Sequence, residues 1–318
     1  GFIRSFATAI KSFVDGDKNA DTHSWDGQAA YFMDNYSADD ATNWTTSNWS
    51  QLRSINYYLD NMRNAVASDA ILDHYEGVGR FFRALFYIDK VQTFGAVPWY
   101  DFTIAASDKE AMMKPRDSRE YVMDKVLEDL TFASTYCLSD AKFTKGSALI
   151  NKWVALAFKS RVCLYEGTFR KYHGIADETI DGVTISADYF LQLAADAAWA
   201  VMEQNKYSLY KGNTLKLDAP YREYFILEDG DAKETILSMR FNADILVRHG
   251  IQFTFRNMRH SATQRLVNHY LMADGSKIQD QPGYETMTYN QQFQNRDPRM
   301  AQTLMAPGYV DLNGIDEV

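Results

Sequence analysis

Apolar residues recur at three- and four-residue spacing through the first two thirds of the chain. Leu52, Ile55, Leu59 and Met62 follow that period and predict a helix over about 49–67, with Asn48 as its cap. A second helix is predicted over about 70–94. Val78, Phe81, Phe82, Leu85 and Ile88 form one apolar stripe of it, and Ala84, Tyr87, Val91 and Phe94 form another. A helix apolar on nearly all sides is sandwiched between others. Gly95 and Pro98 stop it. Arg80 and Arg83 sit inside this apolar pattern, so each is expected to pair with a carboxylate or a carbonyl, because an unpaired buried charge is costly.

A third helix starts after Ser118, with Glu120 in its first turn, and runs through Val122, Met123, Val126, Leu127, Leu130 and Ala133. A fourth, about 147–166, sets Ala148, Ala155 and Ala157 beside Val154, Phe158, Val162 and Tyr165. Its small residues allow close helix contact, and Gly167 is placed to end it. A fifth, about 187–204, carries Leu193, Ala194, Ala197, Ala198 and Val201. The links between some of these helices are long enough to suggest function. No 34-residue self-similarity is visible, so spacing alone does not establish a tetratricopeptide array. Beyond about 205 the pattern weakens. ETILSMRF (234–241) and GIQFTFRN (250–257) read as short strands, and the remainder, rich in Asn, Gln, Asp, Gly and Tyr, reads as ordered loop.

Composition narrows the partners. The chain has 318 residues, 46% of them hydrophobic and 24% charged, which suits a globular protein. Its formal net charge of −9 argues against nucleic acid, whose phosphates need a basic surface. No apolar stretch reaches the length of a bilayer span. The chain opens GFIRSF with no signal peptide, and is expected to be a processed or trimmed form. Cys137 and Cys163, each inside a helical pattern, read as two isolated buried thiols.

Catalytic signatures are missing: there is no G-x-S-x-G, no H-E-x-x-H, no glycine-rich phosphate loop and no C-x-x-C. The six histidines are scattered. Carboxylates are plentiful, so a helical carbohydrate-active enzyme with an acid pair stays open as an alternative, although no spacing singles a pair out. In DGDKNADTHSWD (15–26), Asp15, Asp17, Asn19, Asp21 and Asp26 fall at positions 1, 3, 5, 7 and 12 of a calcium-loop register. Ala20 stands where the loop needs Gly, and Asp26 where it needs Glu. The segment reads as a solvated loop of turn formers, with calcium as the alternative and no other cofactor implied.

The tryptophans carry more. Trp25, Trp44 and Trp49 lie close together in a polar segment that also holds Tyr31, Tyr36, Asn43 and Asn48. Sugar C–H faces stack on aromatic rings, and sugar hydroxyls need amide, carboxylate and guanidinium partners. Trp44 is the first candidate for glycan contact, with Trp25, Asn43 and Tyr36 beside it. Tyr284 and Tyr289, in the Gly/Gln/Tyr loop 281–292, are further candidates. Trp49, at a helix start, reads as structural.

Several segments, in order, resemble the SusD/RagB family of Bacteroidetes outer-membrane nutrient-binding lipoproteins. YEGVGRFFRALFYIDKVQTFGAVPWY (75–100) is similar to that family's E-x-R-F-x-R-A…F-G-x-V-P helix. KPRDSREYVMDKVLEDLTFA (114–133) is similar to its P-R-x-S…V-x-D…I-x-x-D-L segment, and TKGSALINKWVALAFKSRVCLYEGTFRKYH (144–173) to its next helix. ETILSMRF, RLVNHYLMADG (265–275) and FQNRDPRMAQTLMAPG (293–308) are similar to later landmarks.

The resemblance implies a mostly α fold. Tetratricopeptide-like helix pairs over 49–205 would form a scaffold, with an irregular, loop-rich part over 206–318 across it, all one SusD-like domain. It also implies glycan binding without catalysis, on the extracellular face of the outer membrane, as the lid of a SusC-type TonB-dependent transporter. Membrane attachment would be through a lipid anchor not present in this chain, and the C-terminal part of the family fold is expected to be missing. RagB-type relatives keep a peptide ligand open as an alternative, as does a tetratricopeptide-like adaptor.

Overall fold

The computed structural model describes residues 22–24, 44–139, 148–212, 219–227, 230–238, 261–305 and 307–308. The chain divides into two compact units, one of Thr42–Leu209 with Ala232–Met239, the other of Gly1–Ala41, Tyr210–Asp231 and Arg240–Val318. The fold is mostly α.

The first unit is a run of helices that pack in chain order. They are α1 (Thr46–Asn61), α2 (Asp69–Phe94), the single turn α3 (Lys109–Met112), α4 (Arg119–Tyr136), α5 (Lys152–His173) and α6 (Ala187–Met202). α1 packs on α2, α2 on α4, α4 on α5 and α5 on α6. α2 fills the centre as its double stripe predicts: Phe81, Ala84, Tyr87, Ile88 and Val91 are all buried. Facing them, Val122, Met123, Val126, Leu130 and Ala133 of α4 have no exposed surface.

Arg83 and Arg80 find the carboxylates their apolar setting demands. Arg83 donates from Nε and Nη2 to the two oxygens of Asp129, both at 2.7 Å, so α2 and α4 are joined by a buried bidentate pair. Arg80 pairs with Glu76 at 2.8 Å and lies over the Phe132 ring. A second buried group joins α4 to α5. Glu166 accepts from both Nη atoms of Arg119, at 3.0 and 2.6 Å, and from Arg170 Nε at 2.7 Å. Arg170 also reaches Asp124 at 3.2 Å. Burial pushes the Asp124 carboxyl up to about 6, although the Arg170 guanidinium opposes the shift.

Four element boundaries differ from the sequence expectation, one of them the start of α5, at Lys152 instead of about 147 because Asn151 is its cap. α1 starts earlier, because Thr45 and not Asn48 is the cap, and Asn48 closes a reciprocal capping box from the third helical position. It also ends earlier, at Asn61, followed by one 3-10 turn over Met62–Asn64. α5 runs straight through Gly167, which was expected to end it. A Cβ there would lie 2.7 Å from Leu191 Cγ and 2.9 Å from Ala187 O, so this glycine is present to let α6 approach. The helix ends instead at Gly174, whose φ of +63° is the left-handed C-cap.

One strand expectation also changes. Of 234–241, the described residues 234–238 form turn, bend and irregular chain, while the expected strand at 250–257 lies outside the described residues. The clear hairpin is β2 (Glu178–Ile180) with β3 (Val183–Ile185), turning on Asp181 and Gly182 at φ +50° and +81°. Asp-Gly between short β-prone runs is the sequence signal for that turn. Cys137 and Cys163 are buried free thiols, each pushed up to about 12 by burial.

In the second unit, β1 (His23–Ser24) pairs antiparallel with β4 (Ser261–Ala262). Short helices follow: α7 (Pro220–Ile226), α8 (Gln264–His269), α9 (Tyr289–Gln292) and α10 (Pro298–Thr303). The N-R-D-P-R segment organises this part. Arg296 donates to the carbonyls of Gln292, Val267 and Tyr270 at 2.6–2.7 Å, and Asp297 caps α10. Gln302 accepts from the Tyr221 and Arg222 amides, which fixes α10 against α7. Among the described residues, no helix is long and apolar enough to cross a membrane.

Asp129→Ala strands the Arg83 charge in the core and should destabilise the chain by about 3–5 kcal/mol in urea unfolding. The double change Arg83→Met with Asp129→Leu removes both charges at similar volume and should cost clearly less. Equal losses would mean the pair acts through its shape alone.

Candidate functional site

The helical unit carries an open cleft of about 890 Å³ between the start of α1 and the two segments that follow α2. Trp44, Trp49, Tyr100 and Phe102 supply its aromatic wall. Trp44 meets Trp49 edge-on at 5.1 Å and Phe94 at 4.9 Å, and it stays 36% exposed. Trp49 is held from below by Phe86 at 5.5 Å, so the outer ring stands on an inner one that the α2 core supports. Trp49, Arg53 and Asn56 are four and then three residues apart on α1, so they share one helix face. That spacing brings an aromatic, a guanidinium and an amide to the cleft together.

The opposite wall is a loop held by side chains. Asn56 is buried and donates through Nδ2 to the carbonyls of Tyr100 and Phe102, at 2.9 and 3.0 Å. The Tyr100 amide donates to Tyr87 Oη at 2.6 Å, and Arg83 Nη1 donates to Asp101 O at 3.2 Å. A second layer of contacts ties this loop to the next segment. Val97 bridges Asp117, the Trp99 amide donates to Asp117 Oδ2 at 2.7 Å, and Tyr100 Oη donates to Ala111 O at 2.6 Å. Lys114 donates to Trp99 O at 3.2 Å and pairs with Asp117 at 2.6 Å. Burial pushes the Tyr100 phenol up, against the pull of Lys114. Arg116 completes the rim, its guanidinium 4.9 Å from the centre of the Trp44 ring.

Apolar walls with a few fixed polar groups are how a folded protein holds a small ligand, and the volume falls in the usual range for one. Backbone carbonyls in the loop are already used, so a ligand's polar groups would meet Arg53, Arg116, Thr45, Thr46 and Ser50. Among the described residues, no group of His, Cys, Asp or Glu side chains is arranged to hold a metal ion.

The sequence-predicted residues fall in separate places. Trp44 lines this cleft. Tyr284 and Tyr289 belong to the other unit. Tyr284 Oη accepts from Asn268 Nδ2 at 2.7 Å. Tyr289 is exposed, packs on Phe293 at 4.9 Å and donates from Oη to Met305 O at 2.7 Å. Trp25, Tyr36 and Asn43 lie outside the described residues, as do Asp15, Asp17, Asn19, Asp21 and Asp26. Tyr100, Phe102, Arg53 and Arg116 were not singled out from the sequence. Arg53 carried a usable signal, one turn beyond Trp49 on a predicted helix. Arg116 carried none, because the approach of 114–116 to Trp44 is long-range.

A family model described as "Starch-binding associating with outer membrane" matches residues 6–164, and one described as "SusD family" matches 255–315. SusD-like protein P2 of Formosa agariphila is 31% identical over 138 residues, which are 43% of this chain and 24% of that protein. A SusD-like protein of Bacteroides fragilis superposes with a TM-score of 0.66 at 20% identity, covering 94% of this chain and 59% of its own. A SusD-like carbohydrate binding protein of the same organism gives 0.59 at 16% identity, covering 84% and 47%. The chain thus spans about a quarter of the curated relative and under two thirds of either solved chain. At such identities the solved structures establish a shared fold.

Asn56→Ala removes both donors that hold the cleft loop. It should cost about 1–3 kcal/mol in unfolding free energy, the usual loss when buried acceptors lose their partner. Amide exchange over 99–103 should rise before exchange in α2 does. Unchanged exchange there would mean that Tyr87 and Asp117 suffice to hold the loop.

Proposed function

The chain belongs to the SusD/RagB family, and from that premise we propose that it binds glycan at the outer face of the outer membrane, without catalysis, as the lid of a SusC-type TonB-dependent transporter. The observation that carries the binding reading is the aromatic-walled cleft around the exposed rings of Trp44 and Phe102. Its ring faces suit the C–H faces of sugars, and its rim of guanidinium and hydroxyl groups suits their hydroxyls. The family description, association with the outer membrane, supports the location. Family models match both the helical part and the later part, which supports reading the two units as one SusD-like domain.

Within this reading Trp44 is the central contact. Asn43, Trp25, Tyr36, Tyr284 and Tyr289 are proposed as further glycan contacts, each to be tested by its own alanine variant. A lid must move as one body, and the buried ion pairs between α2, α4 and α5 give the helical unit that stiffness. The seat on the transporter should exceed roughly 1,000 Å² in total, with a polar rim that permits release.

Trp44→Ala should weaken glycan binding about 5- to 150-fold by calorimetry, the worth of one aromatic stacking platform, with circular dichroism unchanged. Unaltered affinity would place the site elsewhere. The lid reading is tested separately by mild-detergent purification from native outer membranes. Recovery of the protein without any TonB-dependent receptor would sink it.

A further inference from the structure

We propose that the ligand of this cleft is an anionic oligosaccharide, one bearing carboxylate or sulfate groups. The inference rests on the glycan-binding reading and narrows it. Its ground is the sign of the charge around the cleft. Arg53, Lys114 and Arg116 line it, and among the described residues no Asp or Glu does. That composition opposes the chain as a whole, which has 42 acidic against 33 basic side chains.

The state of the cations adds to this. Elsewhere in the helical unit Arg63, Arg80, Arg83, Arg119 and Arg170 each pair with a carboxylate, and Arg161, on the α5 surface, is the exception among the described residues. Arg53 and Arg116 have no such partner among the described residues. Arg116 is held by the Trp44 ring instead of by an acid, so its charge is placed without being neutralised. Lys114 is already compensated by Asp117 at 2.6 Å and adds less. Guanidinium groups offer two parallel N–H donors in a plane, which matches a carboxylate or a sulfate ester and gives little advantage toward a neutral hydroxyl.

A convex acidic protein surface would meet these charges poorly, because they line a concave, aromatic-walled space of about 890 Å³. A sugar chain with charged substituents satisfies both features: its rings stack on the exposed Trp44 and Phe102 while its oxyanions reach Arg53 and Arg116.

The test is calorimetry on the full chain with matched probes. Oligogalacturonides are compared with the same oligosaccharides after reduction of their carboxyls to alcohols. Sulfated galactan oligosaccharides are compared with their desulfated forms. A ten-residue oligoglutamate serves as an anion without sugar. At least one anionic glycan should bind about 10-fold or more tighter than its neutral counterpart, the worth of a charge-assisted hydrogen bond. Which pair shows the gap distinguishes carboxylate from sulfate. The gap should shrink as salt rises from about 0.05 to about 0.5 M, and Arg53→Gln with Arg116→Gln should close it by weakening the charged forms far more than the neutral ones.

Neutral forms that bind as tightly as charged ones, or a double variant that keeps the gap, would overturn this inference and leave glycan binding standing. Oligoglutamate binding equal to that of the anionic glycans would overturn it in favour of an acidic peptide. Binding of none of the probes by the folded chain would overturn this inference and leave the glycan-binding reading to its own test at Trp44.

Discussion

Asp129 is almost completely buried between α2 and α4, with both of its oxygens against the Arg83 guanidinium. Such a pair contributes little net stability compared with packed hydrocarbon, but it is unforgiving about geometry. Sliding α2 along α4 by one turn would leave two desolvated charges apart, at a cost of several kcal/mol. Apolar stripes alone tolerate that slip far better. The Glu166 group acts likewise on the next pair of helices, since Arg119 comes from α4 while Glu166 and Arg170 come from α5. Register is thereby set twice in succession along the array, with α4 shared by both groups.

The cleft inherits this fixed register. Arg83 has one more donor, and it holds the Asp101 carbonyl. Tyr87, one turn further along α2, holds the Tyr100 amide. The aromatic wall is therefore hung from the same helix face that carries the buried charge, and α1 closes on it through Asn56. Loop residues placed this way are rigid without belonging to a helix or strand, which keeps the entropy lost on ligand binding small.

Helix existence and order were legible because the 3.6-residue period is strong in α2, α4 and α6, and because the apolar setting of Arg80 and Arg83 forces them to find acids. The boundaries were less so. Gly167 reads as a terminator in one dimension, and only the approach of Leu191 shows it to be a contact surface. The Asp181–Gly182 turn was available in the sequence but stood between helices and was passed over. Of the candidate site, Trp44 was legible as an aromatic stranded in a polar segment. Tyr100 was hidden in a run that reads as core, and its place in the cleft wall depends on hydrogen bonds with Asn56 and Tyr87, contacts 44 and 13 residues away.

The same residue type thus takes two opposite roles within one unit. In the core, arginine is desolvated, and its carboxylate partner removes its charge from the reach of any ligand. At the cleft, Arg116 rests on a ring that positions a guanidinium but cannot neutralise it, because an aromatic face carries a quadrupole and no net charge. What separates the two roles is the partner: Asp129 makes Arg83 a fixture of the fold, and Trp44 leaves Arg116 with donors to offer. A cleft supplied with cations in this second way presents its field to whatever enters, in a protein whose formal net charge is −9. That contrast favours an anion at the cleft over the same anion at the core arginines, whose charges are already matched.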